Sequence, residues 1–357
     1  MSVGYKSIQW TKTKLIYDVI LIAAIALYVY LFITVSAKLG AEMNIPPVGN
    51  AVRIRAYGSA AFVLLHVILS IGPLCRLNDK FLPLLFNRRH MGVTMFVLAS
   101  IHAAKTLNLY HAAGNLDPIV SLFVGNTEYF NLAAFPFETC GIVALLIFFM
   151  MAATSHDFWL TNLTAPIWKA LHMGVYAAYA LLVGHVTLGA LQSHRDPLLT
   201  VAVGIGMVWV VGLHLAAALQ EAKLDRQSLA VGDADATGFV ETGVTVGDIV
   251  ENRAKIVTIS GERVAIFKYD GKIAAVSNVC QHQNGPLGEG KIVDGCITCP
   301  WHGYQYLPEN GASPPPFTEK IPTFDVRLEG DRIFVKAIPH PAGTTVEPAQ
   351  IPQSSVG

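Results

Sequence analysis

Charge is scarce in this chain. Only 14% of its 357 residues are Asp, Glu, Lys or Arg, and 25 basic residues balance 25 acidic ones for a formal net charge of zero. No basic run is present, so nothing in the sequence offers nucleic acid an electrostatic footprint. No Cys-x-x-Cys-His occurs, which excludes covalent c-type haem attachment. No Gly-x-Gly-x-x-Gly loop occurs either, so the signature of a dinucleotide-binding turn is missing. What fills the chain instead is apolar: 53% of the residues are hydrophobic. Their distribution is uneven, with 21 of the 50 charged residues in positions 1–220 and the remaining 29 in the last 137.

A bilayer core takes about 20 apolar residues per helix. Runs of that length occur at about 15–37, 56–75, 91–110, 134–154, 168–190 and 197–220, which predicts six spans. The first run is too long for the apolar core of a signal peptide and reads as an anchor. Lys and Arg collect on cytoplasmic loops. With the N-terminus inside, the inner side gathers Lys6, Lys12, Lys14, Arg76, Lys80, Arg88, Arg89, Lys169, Lys223 and Arg226 against Lys38, Arg53, Arg55, Arg195 and Lys105 outside. Both termini are therefore expected in the cytoplasm. Residues 221–238, polar and rich in Asp, read as a linker, and 339–357, without apolar period, as a disordered tail.

Near the C-terminus stands Cys280-Gln281-His282, then sixteen residues, then Cys299-Pro300-Trp301-His302. Two thiolates on one iron and two imidazoles on the other make a Rieske 2Fe-2S centre, a carrier of single electrons. Cys280, His282, Cys299 and His302 are its expected ligands. Two Cys and two His also suit tetrahedral zinc, but the usual zinc spacings do not fit this pattern. Cys296 forms a Cys-x-x-Cys with Cys299 and reads as a small strand residue, because Cys299 is already claimed.

Within the apolar half, ionisable residues are the exception and mark function. His66, His90, His102, His172, His185 and His214 lie in or at the edge of the expected spans. Beside an electron-carrying cluster, such a set points to b-type haem with histidine axial ligands. His172 and His185 are 13 residues apart, roughly 20 Å along a helix, and His90 and His102 are 12 apart, roughly 18 Å. The depths match in pairs: His102 with His185 near the outer face, His90 with His172 near the inner. His66 or His214 are alternative inner partners, so one or two haems are expected.

Residues of about 237–337 resemble Rieske ferredoxins and the Rieske domains of ring-hydroxylating oxygenases. The resemblance runs through Val264-Ala265-Ile266-Phe267, the turn Tyr269-Asp270-Gly271-Lys272, both ligand loops and Pro314-Pro315-Pro316. In cytochrome bc complexes each ligand loop carries an additional cysteine, and the two form a disulfide. Gly285 and Trp301 stand at those positions here, which suits a reducing compartment. The resemblance further implies that Tyr306 donates a hydrogen bond to the cluster. Tyr304 stands where the bc family has a serine donor, which implies a lower potential than in bc complexes. Arg88-Arg89-His90-Met91-Gly92 with His102, and Trp168-Lys169-Ala170-Leu171-His172 with Tyr176 and His185, resemble the ferric-reductase-like transmembrane superfamily. Its ligand positions match His102, His172 and His185.

The expected architecture is a multidomain chain: a six-helix transmembrane α bundle over 1–220 and a small all-β Rieske domain over 239–338. The expected protein is an oxidoreductase in a bacterial inner membrane, surrounded by membrane lipid. It would pass electrons from a cytoplasmic donor, a reductase or ferredoxin, to an unknown outer acceptor. Flow in the opposite direction, from quinol inward, is the alternative. A Rieske oxygenase would need a mononuclear iron on two histidines and a carboxylate, yet only 55 residues follow His302, with His340 their one histidine.

Overall fold

A computed structural model of the chain describes residues 12–42, 49–78, 80–81, 84, 87–155, 159, 163, 165–192, 197–227, 234–282, 284–300, 303–315 and 317–352. The chain divides into two compact units. One comprises Trp10–Trp159 and Ala170–Ala217, and the other includes Leu160–Lys169 and the chain from Ala218 onward.

The first unit is helical. Among the described residues the chain has seven α-helices: α1 (Lys12–Glu42), α2 (Gly49–Leu77), α3 (Arg88–Thr106), α4 (Pro118–Val124), α5 (Phe137–Ala153), α6 (Ala165–Val186) and α7 (Pro197–Gln227). That is one more than the six predicted, the addition being the short α4. Four helical stretches are long and apolar enough to cross a membrane: Leu15–Lys38 in α1, Gly49–Leu77 in α2, Ala170–Leu191 in α6 and the π-helical turn that continues it, and Leu199–Gln220 in α7. The other two expected spans fall short for separate reasons. Helix α5 has 17 residues after Pro136, about 25 Å at 1.5 Å per residue. Helix α3 carries Arg88, Arg89 and His90 in its first turn and Lys105 in its last.

Helix α2 is the hub. Its Ala60, Leu64, Leu65 and Ile68 pack with Met95 and Leu98 of α3, Ala144 and Phe148 of α5, Ala178 and Tyr179 of α6, and Val210 of α7. Lipid tails are as apolar as leucine, so helices in a membrane gain by close packing, and small residues such as Ala60, Ala61, Ala144 and Ala178 let backbones approach. Helices α3 and α6 each run on into a π-helical turn, Leu107–His111 and Thr187–Leu191. Such turns mark functional positions more often than chance.

The second unit carries three antiparallel sheets. Strands β1 (Phe239–Thr245), β9 (Val326–Glu329) and β10 (Arg332–Lys336) pair in the order β1-β10-β9. Strands β2 (Arg253–Ile259), β3 (Glu262–Tyr269), β4 (Lys272–Ser277) and β11 (Ala349–Gln350) pair as β11-β4-β3-β2, with β8 (Thr323–Phe324) also on β4. Strands β5 (Lys291–Val293), β6 (Cys296–Thr298) and β7 (Gln305–Tyr306) form the third sheet. The apolar run Val264–Phe267 lies wholly buried at the centre of β3, as a strand covered on both faces requires. Cys296 is a buried residue of β6.

Two boundaries differ from the sequence reading. Helix α7 continues to Gln227, so the expected linker begins as helix, and its residues 228–233 lie outside the described ones. The expected disordered tail is folded as far as residue 352. Ala349 and Gln350 pair with Ile273 and Lys272, His340 N–H donates to Thr323 O (2.8 Å), and Ile351 N–H donates to Gly271 O (2.9 Å). Backbone hydrogen bonds order this segment, with Ala349 and Ile351 packed on the core, and neither needs an apolar period.

Candidate functional site

The two ligand loops of the β unit are built on one plan. Cys280 N–H donates to Gly285 O (2.9 Å) and Asn284 N–H returns to Cys280 O (2.7 Å). Cys299 N–H donates to Tyr304 O (2.8 Å) and Gly303 N–H returns to Cys299 O (2.9 Å). The fourth residue after each cysteine turns the chain through positive φ, 58° at Asn284 and 70° at Gly303. Glycine adopts that conformation freely, and asparagine is among the few others that visit it.

Cys280, His282 and Cys299 are all buried. The Tyr306 hydroxyl lies 3.4 Å from Cys280 Sγ, where a cluster-bound thiolate would accept from it, and accepts from Gln281 N–H (3.0 Å). Burial, reinforced by the Cys280 charge, pushes the Tyr306 phenol far up, so it stays protonated as a donor. Tyr304 does not replace the serine donor of the bc pattern. Its hydroxyl donates to Glu319 instead, while its ring lies on the His282 imidazole with centroids 5.0 Å apart and planes 8° from parallel. His282 also stacks on Trp168 within the same unit, at 5.4 Å and 25°. Trp301 and the fourth expected ligand, His302, lie outside the described residues. Among the described residues no three His, Cys, Asp or Glu side chains stand together as one metal-holding group, but two thiols and an imidazole on two matching loops are donor types that a 2Fe-2S centre takes.

In the helical unit the histidines sort into distinct settings. His102 Nδ1 donates to Ile54 O (2.9 Å) and His185 Nδ1 to Phe137 O (3.0 Å). With the proton fixed on Nδ1, each Nε2 keeps its lone pair. The ring centroids are 6.2 Å apart. Two imidazoles facing one metal from opposite sides stand about this far apart, at about 2 Å per metal–nitrogen bond plus the ring radius on each side. Two glycines make room for the rings: a Cβ on Gly58 would come within 2.8 Å of His102, and one on Gly141 within 2.9 Å of His185. The spacing and the two fixed tautomers fit a pair of imidazoles that would hold the iron of a b haem.

The other histidines are held differently. His90 Nδ1 meets both Asp18 carboxylate oxygens at 2.8 and 2.9 Å. His66 donates from Nδ1 to Phe62 O, and its Nε2 takes the Tyr179 hydroxyl at 3.1 Å. His214 donates to Val210 O and accepts from Tyr176 at 3.1 Å. His172 sits half-buried on α6, thirteen residues before His185. Sequence reasoning missed Asp18, although it is the one charged residue in the run 15–37. The sequence singles out His111 at the start of an outer loop but not its partners: at the end of the π turn its Nε2 lies 3.2 Å from Glu138 and its Nδ1 3.2 Å from Ser121 Oγ.

Comparison with known proteins finds a Rieske [2Fe-2S] domain at residues 243–325 and a ferric reductase like transmembrane component at 56–183. The ferredoxin component of the naphthalene 1,2-dioxygenase system of Pseudomonas putida is 30% identical over 93 residues, 26% of this chain and 89% of that protein. The protein-methionine-sulfoxide reductase heme-binding subunit MsrQ of Caulobacter vibrioides is 28% identical over 159 residues, 44% of this chain and 70% of that protein. The cholesterol 7-desaturase nvd of Xenopus laevis is 39% identical over 70 residues, yet the match spans only 15% of its length. A 2Fe-2S cluster and haem b follow as the cofactors.

Proposed function

We propose that this chain, a ferric reductase-like transmembrane component joined to a Rieske [2Fe-2S] domain and so a membrane oxidoreductase, conducts single electrons from a cytoplasmic donor to an acceptor on the far side of the bilayer. In this reading α1, α2, α3, α5, α6 and α7 cross the membrane, both termini are cytoplasmic, and α4 lies at the outer edge. Cys280, His282, Cys299 and His302 hold the cluster. His102 and His185 hold the outer haem, and His172 holds an inner one with His90, His66 or His214 as its partner. Arg88 and Arg89 at the inner edge and Lys105 at the outer would balance haem propionates, as would Arg195, which lies outside the described residues.

When bound, the cluster and the haems supply one-electron carriers that need no proton or bond change. The protein's part is to position and insulate them. Ile54 O and Phe137 O fix the tautomer and tilt of His102 and His185, the outer contacts that orient metal-bound histidines in general. The observation that carries the reading is this pair, two imidazoles 6.2 Å apart with both Nδ1 positions spoken for. Haem content and absorbance of the purified protein test it. His102→Ala and His185→Ala should each lose the same haem and leave the cluster signal intact. Unchanged haem content in both variants would refute it.

A further inference from the structure

The β unit takes in Leu160–Lys169, and within it the His282 imidazole is flanked by two aromatic rings. Tyr304 is fixed by its hydroxyl on Glu319 and by the Phe317 ring at 4.9 Å. It sets the plane of His282 from its own domain. Trp168 is buried, at 7% exposure, and meets the same imidazole nearly face to face. Trp168 and His172 are four residues apart on α6, about one helical turn. An indole in the first turn of α6 therefore stacks on an expected cluster ligand within the β unit.

The geometry points to Trp168 as the port through which electrons enter or leave the cluster at His282. Electron transfer through protein falls off exponentially with distance and is slowed most by through-space gaps. A stacked indole replaces such a gap by π contact. The step is balanced without a co-reactant: one electron leaves the reduced iron pair, one ferric haem iron becomes ferrous, and no proton moves. Trp168 keeps its own oxidation state and acts by coupling and by holding His282 in plane. The inference rests on the electron route proposed above, so cofactor content is measured first to tell a missing carrier from a misassigned tryptophan.

The test uses the full chain with its cofactors, in detergent, as wild type, Trp168→Phe and Trp168→Leu. Flash reduction by a photoexcited ruthenium polypyridyl complex delivers one electron, and the cluster and haem absorbances are followed in time. Leucine reaches less far than the indole and would lengthen the through-space jump by up to about 3.5–4 Å, one carbon–carbon contact, so it should slow cluster-to-haem transfer roughly tenfold or more. Phenylalanine keeps a stacked ring and should retain most of the rate. The cluster's EPR signal and midpoint potential should stay at wild-type values in both variants. Transfer at the wild-type rate in Trp168→Leu would overturn the inference. So would equal slowing by Phe and Leu together with a shifted potential or lost cluster signal, which would make Trp168 a wall of the cluster site. Wild-type protein without haem would overturn both the route and the port.

Discussion

Tyr306→Phe is the smallest change that should move the cluster's potential. It deletes one oxygen, buried and 3.4 Å from Cys280 Sγ, and leaves the ring in place. A hydrogen bond to a charged acceptor contributes about 1.5–3 kcal/mol. The bond is present in both oxidation states, so only the difference between them counts. The reduced cluster is more negative and holds the donor more tightly. Taking the difference as about 1 kcal/mol, and about 59 mV per tenfold for one electron, the midpoint should fall by about 40 mV. The same oxygen accepts from Gln281 N–H at 3.0 Å. Losing that acceptor should also lower the stability of the β unit, by about 1–3 kcal/mol. An EPR-monitored redox titration of both proteins measures the shift. A midpoint that stays put or rises would mean that the hydroxyl does not favour the reduced cluster.

Other outcomes follow from the same geometry. Gly141→Ala would press a Cβ to 2.9 Å from His185, an overpacking of about 1–3 kcal/mol, and pyridine haemochrome analysis should find less haem per chain. Truncation after Ile338 removes β11 and the His340–Asp325 pair (2.9 Å), so thermal unfolding of the β unit should move to lower temperature. Desolvation opposes ionisation of Asp325, but hydrogen bonds from His340 and Lys336 outweigh it and hold its pKa below the usual range. The resulting stability is present above the unfolded value of about 4 and is lost as pH falls through the folded value. Asp325→Asn should flatten that acid limb of the unfolding profile.

Much of the β unit can be read in the sequence because its signals are local. The run Val264–Phe267 reads as a strand, and Asp270-Gly271 reads as the turn that joins β3 to β4. Tyr306 beside Cys280 was legible from the resemblance of the ligand loops. The other partners depend on tertiary packing. Nothing in residues 160–169 announces that Trp168 meets a ring more than a hundred residues away. The sequence places Tyr304 where the bc family has its serine donor, but not its hydroxyl on Glu319. The helical half shows the same division. Apolar runs announce helices, but where α3 and α6 pass into π turns, and that Ile54 and Phe137 present carbonyls to His102 and His185, depends on how helices meet.

In the two-haem reading proposed above, the Asp18 carboxylate sets His90 apart from His66 and His214 as the inner partner. On His66 and His214 the Nε2 atoms meet the hydroxyls of Tyr179 and Tyr176, and neither ring is held by a carboxylate among the described residues. His90 is held through Nδ1 by the Asp18 carboxylate. A carboxylate on the second nitrogen is the usual outer contact of a metal-bound histidine, where it fixes the ring and raises its basicity. A carboxylate within an apolar helix such as α1 is also unfavourable unless it is paired. His90→Ala should therefore remove one haem and spare the other, whereas His66→Ala and His214→Ala should leave haem content unchanged. Asp18→Asn should keep both haems and raise the midpoint of one, because a less basic imidazole stabilises ferric iron less. Haem content and a spectroelectrochemical titration of these four variants decide the matter. Loss of a haem in His66→Ala or His214→Ala with none in His90→Ala would reverse the order and make the Asp18 pair purely structural.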